Sequence, residues 1–386
     1  MRAWLLPEFV EDILPPEAER IERLRRVLLD HFHVRGYRLV QPPLIEHVES
    51  LLVGTGRDLD LQTFKVVDQL SGRLLGVRAD ITPQVARIDA HLLNEPGVTR
   101  LCYAGSVLHT VPMGLSQTRE VLQIGAEIYG HAGIESDEEV LQLLLSALAA
   151  VDIAPVHLDL GHAGVYRALA AAASIESDDE LFAALRGKDV ALIAELTASL
   201  EPRWRDALRL LPALYGPASA TLARARAELP ELPEIGAALD ALETLARRAD
   251  GQRHTLNVDL ADLRGYHYQN GVIFAVFAPG NANALAVGGR YDGIGKAFGR
   301  ARPATGFTLS LRPLAGLVPP AQPVRVILAP RVEADAALDR TVAELRAAGE
   351  TVVASLPGTR HGADVDRQLV LRDGQWQSEA LTRHPT

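Results

Sequence analysis

The stretch Glu120-Val-Leu-Gln-Ile-Gly-Ala-Glu-Ile-Tyr-Gly130 alternates polar and apolar residues, a pattern typical of a β-strand. Successive strand side chains point to opposite faces, so Gln123, Gly125, Glu127 and Tyr129 share one face, and the other face is apolar. One interpretation is a sheet with one face in the core and one in water. The other is that the polar face is the floor of a pocket. There an amide and a carboxylate on either side of a glycine could hold an ammonium or an imidazole N–H.

The sequence around this strand predicts several more strands. Thr99 to Leu108 is a second long candidate, and residues 62–78 read as two strands around a turn. Pro42-Pro43 interrupts a further strand, which places that strand at a sheet edge or breaks it. Strands resume near residue 255 after a helical region. Such strands on both sides of a helical insertion favour an α+β fold with an antiparallel core.

Helical spacing of apolar residues and start signals predict the helices that flank this sheet. Glu17 to Phe32 has apolar residues at helical intervals. Asp80 to Leu93 is a second helix, with Thr82-Pro83 as its N-cap and first-turn proline. Ser136 and Glu139 form a capping box that opens a helix ending near residue 151. Ser177 and Glu180 form another capping box further along the chain.

Composition shifts divide the chain into a large core and a small C-terminal domain. Residues 1–318 form the core, with an Ala/Leu/Arg-rich helical insertion at about 163–250. A proline-rich linker follows, and residues 324–386 predict a small α/β domain that includes a hairpin about Asp373-Gly374. At 386 residues, two or three domains are expected.

Overall composition excludes several classes of protein. The chain is 48% hydrophobic and 23% charged, as in a soluble globular protein, and no apolar run reaches the ~18 residues of a membrane span. The acidic residues near the N-terminus come too early for a signal peptide. The single cysteine, Cys102, excludes a disulfide scaffold and fits a reducing compartment, so we expect a cytoplasmic protein. The net charge of −10 makes nucleic acid a poor partner.

Three further clusters carry candidate chemistry, and each has a plain structural alternative. Asp80 and Thr82 lie at a strand-to-helix turn, where they either cap the helix or bind a ligand. Residues 262–271 are rich in Tyr and His and form either a binding loop or a turn of packed aromatics. The paired glycines of residues 287–293 either admit a ligand or mark a bend. No nucleotide-binding or zinc motif occurs, and the histidines lack metal spacing, so no metal or cofactor is expected.

Taken in order, these motifs resemble the catalytic core of class II aminoacyl-tRNA synthetases, specifically the histidyl-tRNA synthetases, over roughly residues 5–318. Residues 36–43 resemble the class motif of the dimer interface, and residues 100–110 and 123–130 the two ends of the second motif. Residues 264–268 and 288–293 are similar to the two histidine-specific motifs. The resemblance implies an antiparallel sheet flanked by helices.

The resemblance also implies a histidine-binding set, which this sequence largely retains. Six residues fall on positions that surround the amino acid, and Arg264 falls on the arginine near its carboxylate. The six are Asp80, Thr82, Gln123, Glu127, Tyr268 and Tyr291. One position departs from the family, because Gln269 stands where a second tyrosine is usual.

The ATP-binding positions that the resemblance implies are not retained. His109 replaces the arginine that binds the ATP α-phosphate, Val111 an acidic residue, and Gln117 a later arginine. Pro313 replaces the arginine of the third motif. Arg312, one residue earlier, would point about 100° away on a helix. Phosphate recognition needs fixed cationic donors, so we predict that the chain does not form histidyl-adenylate.

A synthetase-like chain with this combination resembles the regulatory subunits of ATP phosphoribosyltransferase. That resemblance implies a partner, the short-form catalytic subunit of the first step of histidine biosynthesis, and homodimers within a hetero-octamer. It implies feedback by L-histidine and no tRNA binding, which the short, lysine-free C-terminal domain supports. The alternative is an active histidyl-tRNA synthetase, and a third hypothesis is a free-standing paralogue with another substrate.

Overall fold

The computed structural model shows a chain of two compact units, Met1–Pro319 and Pro320–Thr386. No helix among the described residues is long and apolar enough to cross a membrane. The described residues are 5–54, 57–112, 118–175, 179–249, 254–263, 269–281, 283–319, 325–359 and 364–381.

The first unit alternates strands and helices along its length. Its strands are β1 Arg38–Leu39, β2 Ile45–His47, β3 Phe64–Val67, β4 Leu74–Val77, β5 Thr99–Leu108, β6 Glu120–Tyr129, β7 His157–His162, β8 Tyr215–Pro217, β9 Thr255–Asp259, β10 Val272–Phe277, β11 Ala286–Arg290 and β12 Ala304–Ser310. Its helices are α1 Pro15–His33, α2 Val48–Leu51, α3 Arg57–Gln62, α4 Thr82–Arg87, α5 Ile134–Ala150, α6 Ala163–Ala172, α7 Asp179–Arg186, α8 Val190–Leu196, α9 Pro202–Leu210, α10 Ala218–Glu228, α11 Pro233–Ala249 and α12 Leu311–Leu317. A π-helix, Ile88–Leu93, continues α4.

The central sheet of this unit is mostly antiparallel. Its strand order is β1-β5-β6-β12-β11-β10-β7-β9-β8, and only the β1–β5 and β7–β9 pairs are parallel. The predicted α+β core is therefore confirmed. The prolines at 42–43 separate edge strand β1 from β2, which joins a smaller sheet of order β2-β4-β3. Proline cannot donate a ladder hydrogen bond, and the predicted break lies there.

Alternate side chains of β6 point into two different buried layers, one apolar and one polar. Ile124, Ala126 and Ile128 pack into the main core against α5 and α12, and Phe32 of α1 contacts Phe307 edge-on, with ring centroids 5.8 Å apart. The polar face is also buried, since Glu127 is only 1% exposed. The interpretation of a polar face in water is therefore wrong.

Two predicted helix caps are wrong for the same reason. Helix α4 has Ile81 at its N-cap, and the Thr82 hydroxyl donates instead to a carboxylate of β6. Helix α5 begins at Ile134, so Ser136 lies within its first turn and accepts a hydrogen bond from Arg290 at 2.8 Å. In both cases a side chain distant in sequence bonds to the hydroxyl, although the Ser136 hydroxyl also donates to the nearby main-chain carbonyls of His131 and Gly133.

The described residues between β7 and β9 are mostly helical, as predicted, but they also include a short strand. The short β8, residues Tyr215–Pro217, pairs with β9 at the end of the central sheet. Its three residues are too few to show a period of two, so the sequence pattern did not reveal it. The predicted capping residue Ser177 lies outside the described residues.

The described residues of the second unit form a four-stranded sheet with one helix. Its elements are β13 Val326–Ala329, α13 Ala336–Ala347, β14 Thr351–Ala354, β15 Val365–Arg372 and β16 Gln375–Ala380. The strand order is β14-β13-β15-β16, and Leu338 of α13 packs on Ile327, Val352 and Leu369. The predicted hairpin is confirmed, because Asp373 and Gly374 both have positive φ, 49° and 79°, as its tight turn requires.

Candidate functional site

A cavity of about 110 Å³ opens on the polar face of β6. Strands β6, β11 and β12 form its floor, and the beginning of α4 forms one side. The lining residues are Asp80, Thr82, Gln123, Glu127, Gln269, Val287, Gly288, Gly289, Tyr291, Gly306, Phe307 and Thr308. The structure thus brings five of the seven proposed histidine-binding residues to one cavity. The other two, Arg264 and Tyr268, lie outside the described residues.

Glu127 is the most enclosed charged group of the cavity. Its carboxylate accepts hydrogen bonds from the hydroxyls of Thr82 at 3.2 Å, Tyr103 at 3.1 Å and Tyr291. Burial raises the pKa of this carboxyl to about 8, and the three hydroxyls only partly oppose that rise. A positively charged ligand would favour the ionised form, so the cavity is prepared for a cation.

Asp80 and Gln123 stand at the α4 side of the cavity. Asp80 accepts the main-chain N–H of Thr82 at 3.3 Å, and Gln123 accepts that of Ile81 at 3.2 Å. Burial raises the pKa of Asp80, while hydrogen bonds from the main-chain N–H groups of Thr82 and Ile81 and from the Gln123 side chain lower it in part. The negative charge of Asp80 also raises the pKa of Glu127. Two carboxyl groups at one small site strengthen the preference for a cationic ligand.

Glycines keep the floor of the cavity open, although not at the position that the sequence suggested. The space beside Gly125 is filled by the Tyr103 side chain. At Gly306, which lies opposite Glu127 across the β6–β12 pair, a Cβ atom would overlap the carboxylate. The sequence pattern did not identify Tyr103 and Gly306 as residues of the site. The strand register would have revealed them, since Tyr103 lies opposite Gly125 and Gly306 opposite Glu127.

Neighbouring side chains hold Tyr291 in place, so residues 287–293 do more than form a bend in the chain. Its ring packs edge-on against Tyr129, with centroids 6.4 Å apart, and its hydroxyl donates to Glu127. The preceding residue, Arg290, is buried and pairs with Asp137 at 2.7 Å. This buried pair anchors the strand end that presents Tyr291 to the cavity.

At the positions expected to bind ATP, the described side chains make other contacts or are exposed. His109 is 6% exposed, and its Nε2 lies 2.9 Å from the Ala79 carbonyl oxygen. Val111 is exposed, Pro313 lies within α12, and Gln117 lies outside the described residues. Arg312 binds Glu11 at 2.8 Å and Glu17 at 3.0 Å. None of the described lining residues of the cavity is cationic.

Other reactive chemistry is not supported in the described part of the chain. No group of three or more His, Cys, Asp or Glu residues there could hold a metal ion. Cys102 is 1% exposed, and burial raises the pKa of its thiol to about 12. A thiol in that state is inert at neutral pH, as expected of a small buried hydrophobe.

Comparisons with known proteins agree with this architecture. Residues 9–314 match the family described as histidyl-tRNA synthetase, and residues 324–379 match the family described as ATP phosphoribosyltransferase subunit HisZ C-terminal domain. An ATP phosphoribosyltransferase regulatory subunit of Ralstonia pickettii (strain 12J) is 59% identical over 97% of both chains. One of Paraburkholderia phymatum is 58% identical over 98% of this chain and 99% of its own.

Solved structures give the same fold. A crystal structure described as an ATP phosphoribosyltransferase regulatory subunit/histidyl-tRNA synthetase from Bacillus halodurans aligns with a TM-score of 0.82 and 25% identity, covering 94% of this chain and 95% of that one. Histidyl-tRNA synthetase from Nostoc sp. PCC 7120 aligns with a TM-score of 0.75 at 16% identity, covering 98% and 97%. The synthetase-like fold implied by the sequence motifs is confirmed.

Proposed function

The chain belongs to the family of ATP phosphoribosyltransferase regulatory subunits, and from that premise we propose how it acts. It carries no chemistry of its own. It is required for the activity of a separate short-form catalytic subunit, in the first step of histidine biosynthesis, and takes part in feedback by L-histidine. Its synthetase-like core keeps an amino-acid pocket but no working nucleotide site.

The observation that carries this proposal is the contrast between the two halves of the site. One half holds the buried carboxyl of Glu127 and the hydroxyls that orient it. In the other half, His109 and Pro313 stand where adenylation needs guanidinium groups, and Arg312 is engaged by Glu11 and Glu17. A ligand can be recognised by the first half, but charge that builds on a phosphate would meet no cation among the described residues that line the cavity.

L-histidine is the ligand that this cavity supports. Its ammonium and imidazole groups both carry N–H donors, and the cavity presents the acceptors of Asp80 and Glu127 together with Gln123. We propose that Tyr291 and Thr82 orient the Glu127 carboxylate, and that Arg264 and Tyr268 complete the site by resemblance. Bound histidine then biases the assembly between states through its different affinity for them.

Exposed apolar residues support self-association of the chain. Ile45, Val66, Val67 and Leu74 of the small sheet are each 43–65% exposed, and Leu39 of edge strand β1 is 50% exposed. Ile45 and Val66 lie on one face of this sheet and Val67 and Leu74 on the other, so both faces carry apolar residues that a second copy of the chain would cover. We propose homodimers within a hetero-octamer that also contains the catalytic subunit. The acidic net charge supports the absence of a tRNA partner, and the single buried cysteine supports a cytoplasmic location.

Co-purification tests this function. A tagged copy of the chain is expressed with a short-form catalytic subunit, and phosphoribosyl transfer is measured with and without it. The expected result is a stable complex, a large gain in rate and inhibition by L-histidine. A catalytic subunit that is equally active alone and never binds the chain would contradict the proposal.

A further inference from the structure

The helical insertion holds residues 259–271 at both ends. The first end is Asp259, the last residue of β9, and the second end begins at Gln269, which lines the cavity. Arg264 and Tyr268, which the resemblance assigns to histidine binding, lie between these two ends in the sequence. The contacts that fix the two ends therefore bear on the pocket.

An ion pair from the insertion holds the first end. The Lys188 ammonium, in the turn between α7 and α8, lies 2.7 Å from Asp259 Oδ2 and 4.3 Å from the centre of the Tyr215 ring. Asp259 is 8% exposed, and its Oδ1 accepts the main-chain N–H of Ala261 at 3.0 Å. One buried carboxylate thus joins Lys188 to the backbone that leaves β9, through charge-assisted hydrogen bonds.

The backbone conformation of Lys188 favours a different kind of residue. Its φ is 52°, in the left-handed region that glycine and asparagine adopt most readily. Its N–H donates to the Leu185 carbonyl at 3.0 Å, and the N–H of Asp189 donates to the Ala184 carbonyl at 2.9 Å, so the chain closes the end of α7 here. A lysine in this conformation carries a steric cost, and such strain points to a use for the side chain.

Helix α6 of the insertion holds the second end. The Arg167 guanidinium donates to the Gln269 main-chain carbonyl oxygen at 2.9 Å. The main-chain N–H of Ala163, at the beginning of α6, donates to the Gly271 carbonyl oxygen, also at 2.9 Å. Helix α6 packs on α9, which packs on α8, and α8 begins directly after the turn of Lys188. The two ends are therefore fixed by one connected layer of helices.

We propose that Lys188 and Arg167 are positioning residues through which the helical insertion sets the affinity of the pocket for its amino-acid ligand. Neither side chain is among the described residues that line the cavity, so both act through the backbone of residues 259–271. The inference rests on the proposed function and deepens it, because it assigns regulation of that pocket to the insertion. Such coupling is reciprocal, so a ligand in the pocket also restrains the insertion.

Calorimetry with L-histidine on the full-length chain, alone and with its catalytic subunit, tests the first direction of this coupling. Lys188→Asn removes the ammonium and keeps a residue suited to the left-handed backbone, so the urea-unfolding midpoint is expected to change little. Affinity for L-histidine is expected to fall about three- to tenfold. Arg167→Met is expected to weaken binding similarly, whereas Lys188→Arg retains a cation and is expected to keep most of the affinity.

Hydrogen exchange tests the reverse direction. Saturating L-histidine is expected to slow amide exchange in α7 and α8 of the wild-type chain about threefold or more, and Lys188→Asn is expected to lose that slowing. A residue with a merely structural role would, when replaced, speed exchange there to the same extent with and without ligand. Ligand-dependent exchange therefore distinguishes positioning from general support of the fold.

A matched control completes the experiment. Arg346 of α13 also donates to a main-chain carbonyl, that of Val352 at 2.9 Å, but it lies in the second unit. Arg346→Met is therefore expected to bind L-histidine as the wild type does, and an equal loss there would overturn the inference. If wild-type protein binds L-histidine but Lys188→Asn and Arg167→Met bind it equally well, the inference is wrong while the pocket stands. If wild-type protein binds no L-histidine in either form, the proposed pocket is wrong, and the inference fails with it.

Discussion

Replacing Glu127 by glutamine should move stability and ligand affinity in opposite directions. In the folded chain the Glu127 carboxyl has a pKa of about 8, against an ordinary value of 4.5. Between those two pH values the folded state holds a proton that the unfolded state has lost. Stability therefore falls as pH rises, by about 1.4 kcal/mol per pH unit, and the fall ends above pH 8.

The magnitude follows from that window. From pH 6 to pH 8 the Glu127 carboxyl alone lowers the free energy of unfolding by about 2 kcal/mol. The Glu127→Gln variant has no such group and escapes this loss. Its neutral amide can still hydrogen-bond the hydroxyls of Thr82, Tyr103 and Tyr291. Affinity for L-histidine is expected to fall about tenfold or more, because a charge-assisted hydrogen bond becomes a neutral one.

Urea unfolding of both proteins without ligand, at several pH values from 6 to 9, measures the first effect. The difference in unfolding free energy between variant and wild type is expected to grow with pH and level off above 8. Calorimetry with L-histidine at pH 8 measures the second effect. Parallel stability curves would refute the reasoning about burial, and unchanged affinity would refute the role of Glu127 in binding.

Three further predictions concern the space in the cavity, the ion pair that anchors its wall, and the burial of Cys102. Gly306→Ala should abolish L-histidine binding by calorimetry, since its Cβ would overlap Glu127, whereas Gly316→Ala, with open space around it, should bind normally. Arg290→Met should lower the urea-unfolding free energy by roughly 3–5 kcal/mol by leaving a buried carboxylate unpaired; an effect under 1 kcal/mol would contradict the anchoring role. Cys102 should react with a thiol reagent only in denaturant, and fast labelling of native protein would contradict its burial.

The alternation of polar and apolar residues along two long strands made much of the site predictable. Strands β5 and β6 are ten residues each, long enough for the period of two to assign Glu127 and Gln123 to one face. The prolines at 42–43 and the Asp373-Gly374 turn were equally clear, because their effects are local to the backbone.

The errors arose where partners come from distant parts of the chain. The Thr82 and Ser136 hydroxyls fit local capping patterns, yet Thr82 donates to Glu127 and Ser136 accepts from Arg290, 45 and 154 residues away. The room beside Gly125 is filled from a neighbouring strand, which a single strand pattern cannot reveal. The pairing of Lys188 with Asp259, 71 residues away, likewise emerges only once the chain is folded.

The central claim is that an amino-acid pocket persists here without nucleotide chemistry. Its most direct test is ATP–pyrophosphate exchange by the purified chain at saturating L-histidine, with an active histidyl-tRNA synthetase as the positive control. The account predicts no exchange above background, because no described residue brings a cation to the cavity lining and Arg312 is bound to Glu11 and Glu17. Histidine-dependent exchange by the chain alone would contradict it.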